Sequence, residues 1–131
     1  LRVWKDYFSN AEIYGGDIDR GALFEEERIN TFYLAQTDAE SINRMWKEID
    51  KDNFDIIIDD GLHTYESGIT FFENSFDKLK KNGIFIIEDV KYSYFNLLMD
   101  KLNQYNPKGI ELLSKDKLYY DNNIIMIKKP E

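Results

Sequence analysis

Cysteine is absent from the sequence, histidine occurs once, and no long apolar run is present. Without cysteine the chain has no disulfide bonds, no metal sites with thiolate ligands and no cysteine nucleophile. No apolar segment approaches the roughly 18 residues that a membrane-spanning helix requires, and no signal peptide is visible. Neither a G-x-G-x-x-G pattern nor a P-loop occurs, so the glycines are not expected to cradle a phosphate. We therefore expect a cytoplasmic protein that does not enter the membrane.

Basic side chains are outnumbered by acidic ones and scattered along the chain. The sequence has 17 Lys and Arg against 25 Asp and Glu, a net charge of -8. A nucleic-acid-binding surface needs a basic patch, so no nucleic-acid partner is expected. The length of 131 residues and a hydrophobic content of 43% suit one compact domain over residues 1–131. Because the chain starts at Leu1 and runs straight into an amphipathic segment, we expect it to be a fragment of a longer protein.

The most informative stretch runs from Phe54 to His63, FDIIIDDGLH, where an apolar run ends in two adjacent carboxylates, a glycine and the only histidine. A second apolar run, Gly83 to Val90 (GIFIIEDV), also stops at two acids. In an open α/β sheet the polar residues at the carboxyl ends of parallel strands meet at one edge, where ligands bind. The two pairs of acids are therefore expected to converge on one site.

Helical and extended periods alternate along the chain. Asp38 has the position of an N-cap for a helix with a clear apolar stripe. Gly15 and Gly16 are expected to close a short strand, and Asp121 to Asn123 is a hairpin signal in the tail. The predicted helices are Leu1 to Phe8, Ala39 to Ile49, about Tyr65 to Lys80 and about Tyr94 to Tyr105. The predicted strands are Ala11 to Tyr14, Arg28 to Leu34, Phe54 to Ile58, Ile84 to Ile87 and two extended runs within Ile110 to Lys129.

This alternation predicts the fold class. Strands that alternate with helices of about 10 to 16 residues indicate βαβ units and a mostly parallel sheet. The runs DIII and IFII support this, because strands covered by helices on both faces lose the two-residue alternation. The predicted fold is α/β, a doubly wound, mostly parallel sheet to which the tail adds a C-terminal antiparallel hairpin.

The string from Phe54 to Val90 resembles the second half of class I S-adenosylmethionine-dependent methyltransferases. It is most similar to the metal-dependent sugar O-methyltransferases that act on macrolide and other glycosides, which have D-D-x-S-H and I-E-D elements. The segment WKDYFSNAEIYGGDID is similar to the one leading to that family's second strand, and IIMIKKP to its last, antiparallel strand. The resemblance covers nearly the whole chain and implies a Rossmann-like fold and a methyltransferase with a small-molecule or glycoside acceptor.

The chain departs from the family pattern in two ways. The family's first strand and glycine-rich loop, which hold the methionine moiety of the cofactor, would lie before Leu1 and are missing. In addition, Leu62 stands where a small polar residue is common, and Ala35 stands where the family often has an acid. Because the missing strand would be central in the sheet, either a partner supplies it or the fragment is structurally compromised, and a homo-oligomer is left open.

The resemblance implies roles for residues at the strand ends. Asp60 and Asp89 would bind Mg²⁺, which prefers hard oxygen ligands, and Asp59 is a third candidate. His63 would take the proton of the acceptor hydroxyl, since an imidazole exchanges its proton near neutral pH. The residues expected to bind S-adenosylmethionine are Asp17 and secondarily Asp19 at the ribose, Gln36 and Thr37 near the adenine, and Asp59.

Plainer roles and other functions stay open at this point. Any single acid after a strand could simply cap the next helix or solvate a loop. Receiver domains, which accept a phosphoryl group on an Asp, share the length and the parallel sheet, and Asp17, Asp19, Asp59 and Lys91 can be placed on that plan. The Ser or Thr that a receiver domain has at the end of the strand between the acceptor Asp and the Lys is missing, however. A noncatalytic module that keeps the methyltransferase fold is the third alternative.

Overall fold

The computed structural model describes residues 1–111 and 122–131. Within them the chain forms two compact units, Leu1–Asp50 and Lys51–Glu131. Most of the first extended run predicted in the tail, together with Asp121 of the predicted turn, lies outside the described residues. None of the helices in the described part of the chain has the length and apolar composition that crossing a bilayer requires.

The first unit is a small three-stranded sheet with two helices. Strand β1 pairs in parallel with β3, and β2 adds an antiparallel edge, giving the order β1-β3-β2. The strand β2 is only two residues long and falls in the Glu-rich segment Glu25 to Glu27. The elements are α1 (Arg2–Tyr7), β1 (Ile13–Asp17), β2 (Glu25–Glu26), β3 (Ile29–Tyr33) and α2 (Ala39–Ile49).

Helix α2 begins and ends for local reasons that the sequence already contains. The side chain of Asp38 accepts a hydrogen bond from the backbone N–H of Glu40 at 2.9 Å, so the predicted N-cap is confirmed. The predicted apolar stripe is buried, and the helix stops where Asp50 adopts a left-handed conformation with φ 51°. The stripe consists of Ile42, Met45, Trp46 and Ile49.

The two glycines of β1 do not close the strand, and the prediction that they would was wrong. Gly15 and Gly16 lie inside β1, paired with Thr31 and Phe32. A Cβ atom on Gly16 would come within 2.7 Å of the Leu34 side chain. Close packing, rather than a turn, therefore explains the second glycine, and β1 continues to Asp17.

The second unit contains a four-stranded sheet of order β4-β5-β7-β6. β4 and β5 are parallel, whereas β7 runs antiparallel to both β5 and β6, so the predicted antiparallel final strand is confirmed. Asn123 begins β7 rather than forming part of a turn. The elements are β4 (Phe54–Asp59), α3 (Tyr65–Glu73), β5 (Leu79–Val90), α4 (Tyr92–Lys101), β6 (Lys108–Ile110) and β7 (Asn123–Lys128).

Helix α3 is shorter than the sequence predicted. It begins at Tyr65, as expected, but ends at Glu73, and the expected continuation to Lys80 is wrong. The side chain of Asn74 donates to the carbonyl of Thr70 at 2.8 Å and so satisfies one of the last helical acceptors. Leu79 pairs with Phe54 of the neighbouring strand. This long-range strand pairing overrides the local preference of the LKKN segment for helix.

An aromatic cluster fills the core beneath α3. The ring of Phe72 is fully buried, and its centroid lies 4.8 Å from that of Phe76 and 5.0 Å from those of Phe85 and Tyr105. Aromatic pairs at such separations contribute beyond their buried area. The cluster therefore attaches α3 to β5.

Replacing the central ring tests this account of the core. Phe72→Ala should lower the free energy of unfolding by about 3 to 5 kcal/mol, because it leaves a cavity and removes three ring contacts. Leu97→Ala, on the exposed side of α4, should change it by no more than about 0.5 kcal/mol. Urea denaturation of the complete native protein measures both, and a loss below about 1 kcal/mol for Phe72→Ala would contradict the assignment.

Candidate metal and catalytic site

The strands β4 and β5 carry their acidic residues to the same edge of the sheet. They run in parallel register, with Ile58 opposite Ile86 and Asp59 opposite Ile87. An acid follows each residue of this last pair, Asp60 after Asp59 and Glu88 after Ile87. The parallel pairing therefore brings the two acidic segments side by side, as expected from the sequence.

A β-bulge changes the direction of the acids on β5. Ile87 pairs with Ile125 and Val90 with Asn123, so two residues of β5 lie opposite a single residue of β7. Asp89 is one of the two and has φ 49°, in the left-handed region. Bulges of this kind bend a strand and turn a side chain away from its regular direction.

Three side chains that can bind a metal lie close together at this edge. One potential ligand atom from each of Asp60, His63 and Asp89 lies within 4.8 Å of the other two. The Nε2 atom of His63 is 3.9 Å from Oδ1 of Asp60. Asp60 and Asp89 are exposed and His63 is partly buried, so a ligand can reach the cluster from solvent.

The backbone around His63 is fixed by the start of helix α3. His63 has φ 55°, an uncommon conformation for a residue other than glycine, although His and Asp tolerate it better than most. Directly after it, Thr64 and Ser67 form a capping box in which each side chain accepts a hydrogen bond from the other residue's backbone N–H, both at 3.2 Å. The helix start therefore holds the histidine next to the acids.

Glu88 belongs electrostatically to the same cluster; the sequence predicted that its pair of acids would reach the site but assigned Glu88 no role of its own. Partial burial raises the pKa of its carboxyl group above the usual value, and the nearby Asp60 and Asp89 raise it further, whereas His63 acts in the opposite direction. Its place beside Asp89 in the IEDV segment was the signal that could have identified it. Glu88 faces a concentration of negative charge.

Asp59 has a different environment from Asp60. Its side chain is only 6% exposed, and one of its carboxylate oxygens lies 3.8 Å from the position that a Cβ atom on Gly68 would take. It lines a small cavity that also contacts Ser67, His63 and Glu88. Asp59 is not one of the three residues whose ligand atoms converge, and its predicted role at the cofactor or the metal stays a prediction.

The other predicted cofactor residues lie in the first unit. Asp17 ends β1, and its Oδ1 accepts from the backbone N–H of Asp19, whose own Oδ1 accepts from that of Gly21, both at 2.8 Å. Both carboxylates are exposed. Gln36 and Thr37 follow β3, and Thr37 is exposed. The local turn bonds account for one oxygen of each acid, and the roles assigned to these four residues stay predictions.

Comparison with known proteins identifies the relatives of the chain. It is 37% identical over 95 residues to mycinamicin VI 2''-O-methyltransferase of Micromonospora griseorubida. It is 35% identical over 95 residues to 8-demethyl-8-alpha-L-rhamnosyl tetracenomycin-C 2'-O-methyltransferase of Streptomyces olivaceus. Each match covers 72% of this chain but only 23% and 25% of the relative. The resemblance to sugar O-methyltransferases is confirmed.

The solved structures agree with this relationship. MycE methyltransferase from the mycinamycin biosynthetic pathway, in complex with Mg, SAH and mycinamycin VI, matches with a TM-score of 0.71 and 26% identity over all of this chain and 39% of its own. An rRNA methylase from Streptococcus thermophilus matches with a TM-score of 0.62 at 11% identity, over 92% of this chain and 74% of its own, which shows the fold alone. No protein-family model matches. The α/β, Rossmann-like fold class of the sugar O-methyltransferases is thus confirmed, while the chain spans about a quarter of the length of its curated relatives.

The raised pKa of Glu88 predicts a pH-dependent penalty on the folding stability of the metal-free protein. Since the folded state binds the proton more tightly than the unfolded state, stability falls as the pH rises from about 4.3, the usual value for Glu, through the raised pKa. Glu88→Gln should remove this penalty and gain up to about 1 kcal/mol at pH 7, and nothing below pH about 4. Thermal unfolding in EDTA across this pH range measures the difference.

A matched control is available on the neighbouring helix. Glu66 is exposed in the first turn of α3, where the helix dipole favours a carboxylate, so Glu66→Gln should slightly lower stability at pH 7. Equal effects of the two variants, or a loss of stability in Glu88→Gln, would argue against repulsion at the acidic cluster.

Proposed function

We propose that the protein is an S-adenosylmethionine-dependent O-methyltransferase that methylates a sugar hydroxyl, using a divalent cation and a histidine base. The observation that carries the proposal is the convergence of Asp60, His63 and Asp89 at the carboxyl ends of two parallel strands. The relatives, named for methylation of sugar hydroxyls, support the reaction class. The receiver-domain and noncatalytic alternatives are not favoured by these comparisons.

The donor set fits Mg²⁺. Asp60 and Asp89 offer hard carboxylate oxygens, and Glu88 adds negative charge beside them. No Lys or Arg makes a salt bridge with Asp60 or Asp89 among the ion pairs of the described residues. MycE, which shares the fold at 25 to 26% identity, was solved with Mg and SAH. When bound, Mg²⁺ would orient the acceptor hydroxyl and make it more acidic.

His63 is proposed to take the proton of the acceptor. The hydroxyl oxygen attacks the methyl carbon of the sulfonium, the O–CH₃ bond forms and the C–S bond breaks. The sulfur leaves as a neutral thioether and the proton passes to the imidazole of His63. The partly buried position of His63, close to Asp60, keeps the imidazole at the acidic edge where the hydroxyl would be bound. Much of the remaining acceleration would come from positioning the oxygen against the methyl group.

The cofactor is proposed to contact residues of the first unit. The exposed carboxylates of Asp17 and Asp19 can accept hydrogen bonds from ribose hydroxyls, and Asp17 stands at the carboxyl end of a parallel strand, where the ribose-binding acid is found in this fold. Gln36 and Thr37 are assigned to the adenine and Asp59 to the cofactor. The expected acceptor is a glycoside or another small molecule.

Removal of one carboxylate tests the metal assignment. Asp60→Asn in the complete native protein should weaken Mg²⁺ binding at least about tenfold, because it removes a charged ligand. Asp55→Asn, in the strand β4 that precedes Asp60, is the control, since Asp55 is exposed and pairs with Lys80 away from the cluster. Calorimetric titration with Mg²⁺ compares them, and unchanged binding in Asp60→Asn would remove Asp60 from the metal site.

Substitution of the histidine separates a base from a ligand. His63→Gln should lower the turnover of methyl transfer by about 10² to 10⁴ while Mg²⁺ affinity stays within a few-fold of that of the native protein. Transfer of labelled methyl from S-adenosylmethionine to a panel of deoxysugar glycosides gives the rate, and calorimetry gives the affinity. A loss of affinity equal to that of Asp60→Asn would make His63 a ligand, and full turnover would remove its role as the base.

A further inference from the structure

The bulge that presents Asp89 is closed by a residue from a distant part of the chain. Asn123, the first residue of β7, is only 5% exposed. Its side-chain Nδ2 donates to the backbone carbonyl of Val90 at 2.9 Å, across a sequence separation of 33 residues. Val90 comes directly after Asp89 and is itself 3% exposed.

We propose that Asn123 is a positioning residue for the cation site. Asn123 acts on Asp89 through the backbone. Its side-chain amide donates to the carbonyl of Val90, the residue after Asp89, and so fixes the position at which the bulge ends. With that end fixed, Asp89 keeps its left-handed backbone, and its carboxylate stays within reach of Asp60 and His63. The inference rests on the proposed function and adds to it a residue that lies outside the motif.

The location of the hydrogen bond favours positioning over general strand stability. Elsewhere along the pair, from Ile84 to Ile87, β5 and β7 are joined in regular antiparallel register, and the side chains of β7 that point inward are apolar. Asn123 is a buried polar residue of β7 and lies where the register shifts. Without its donor, the end of β5 would be free to return to regular pairing, which would turn Asp89 away.

The expected effect is on cation affinity more than on folding. Residues that orient metal ligands through hydrogen bonds commonly change metal affinity by 10- to 100-fold when they are replaced. A core residue of the same strand that does not contact the bulge should not change the cation affinity in this way. Ile127 pairs with Phe85, well before the bulge, and is fully buried.

Mg²⁺ titration of the complete native protein by calorimetry tests the proposal. Asn123→Val keeps a strand-forming side chain but removes the donor, and it should bind Mg²⁺ about tenfold more weakly. Asn123→Thr has the same shape as the Val variant and regains a hydroxyl donor, so it should bind more tightly than Asn123→Val. Ile127→Val, the control for lost core packing, should stay within about twofold of the native affinity, and melting temperatures report the stability of each variant.

Each outcome decides between positioning and packing. Native affinity in Asn123→Val, equal affinities of the Val and Thr variants, or an equal loss in Ile127→Val would overturn the positioning role. If Asn123→Val does not fold, Asn123→Ala removes the same donor and carries the same expectation. Failure of the native protein to bind Mg²⁺ would instead overturn the proposed function, and the positioning role would fall with it.

Discussion

The candidate site depends on one constraint, the parallel register between β4 and β5. Because Asp59 lies opposite Ile87, the acids at the carboxyl ends of both strands reach the same edge of the sheet together. Side chains alternate between the faces of a strand, so a slip of one residue would invert which acids face which side. The apolar residues buried along both strands, above all Ile57 and Phe85, stabilise this register over the alternatives.

The site is built from backbone that is locally unfavourable. Both His63 and Asp89 have positive φ, which costs free energy for residues with a Cβ atom and persists only where surrounding contacts fix it. Those contacts are local for His63, in the loop before α3, and come from a distant strand for Asp89. The capping box of α3 follows His63 at once, whereas the end of the bulge at Val90 is held by Asn123 from β7.

The charges of the cluster, like its backbone, are unfavourable in the metal-free protein. Negative charge is concentrated around Glu88, whose raised pKa reflects both burial and the repulsion of Asp60 and Asp89. A bound cation would relieve this repulsion, so charges that are unfavourable in the bare protein would favour the proposed metal. Stability given up at a site in exchange for binding is a common feature of functional sites.

Local sequence determined much of the fold and identified the three residues that converge at the candidate site. The apolar runs ending in acids identified β4 and β5, Asp38 marked the start of α2, and the DDGLH and IED strings carried the family resemblance, because each of these signals lies within a few consecutive residues. Only the tertiary structure decided the end of α3, the close packing at Gly16, the bulge at Asp89 and the hydrogen bond from Asn123 to Val90. These features depend on pairing between strands far apart in sequence, and such pairing leaves no short-range pattern to recognise.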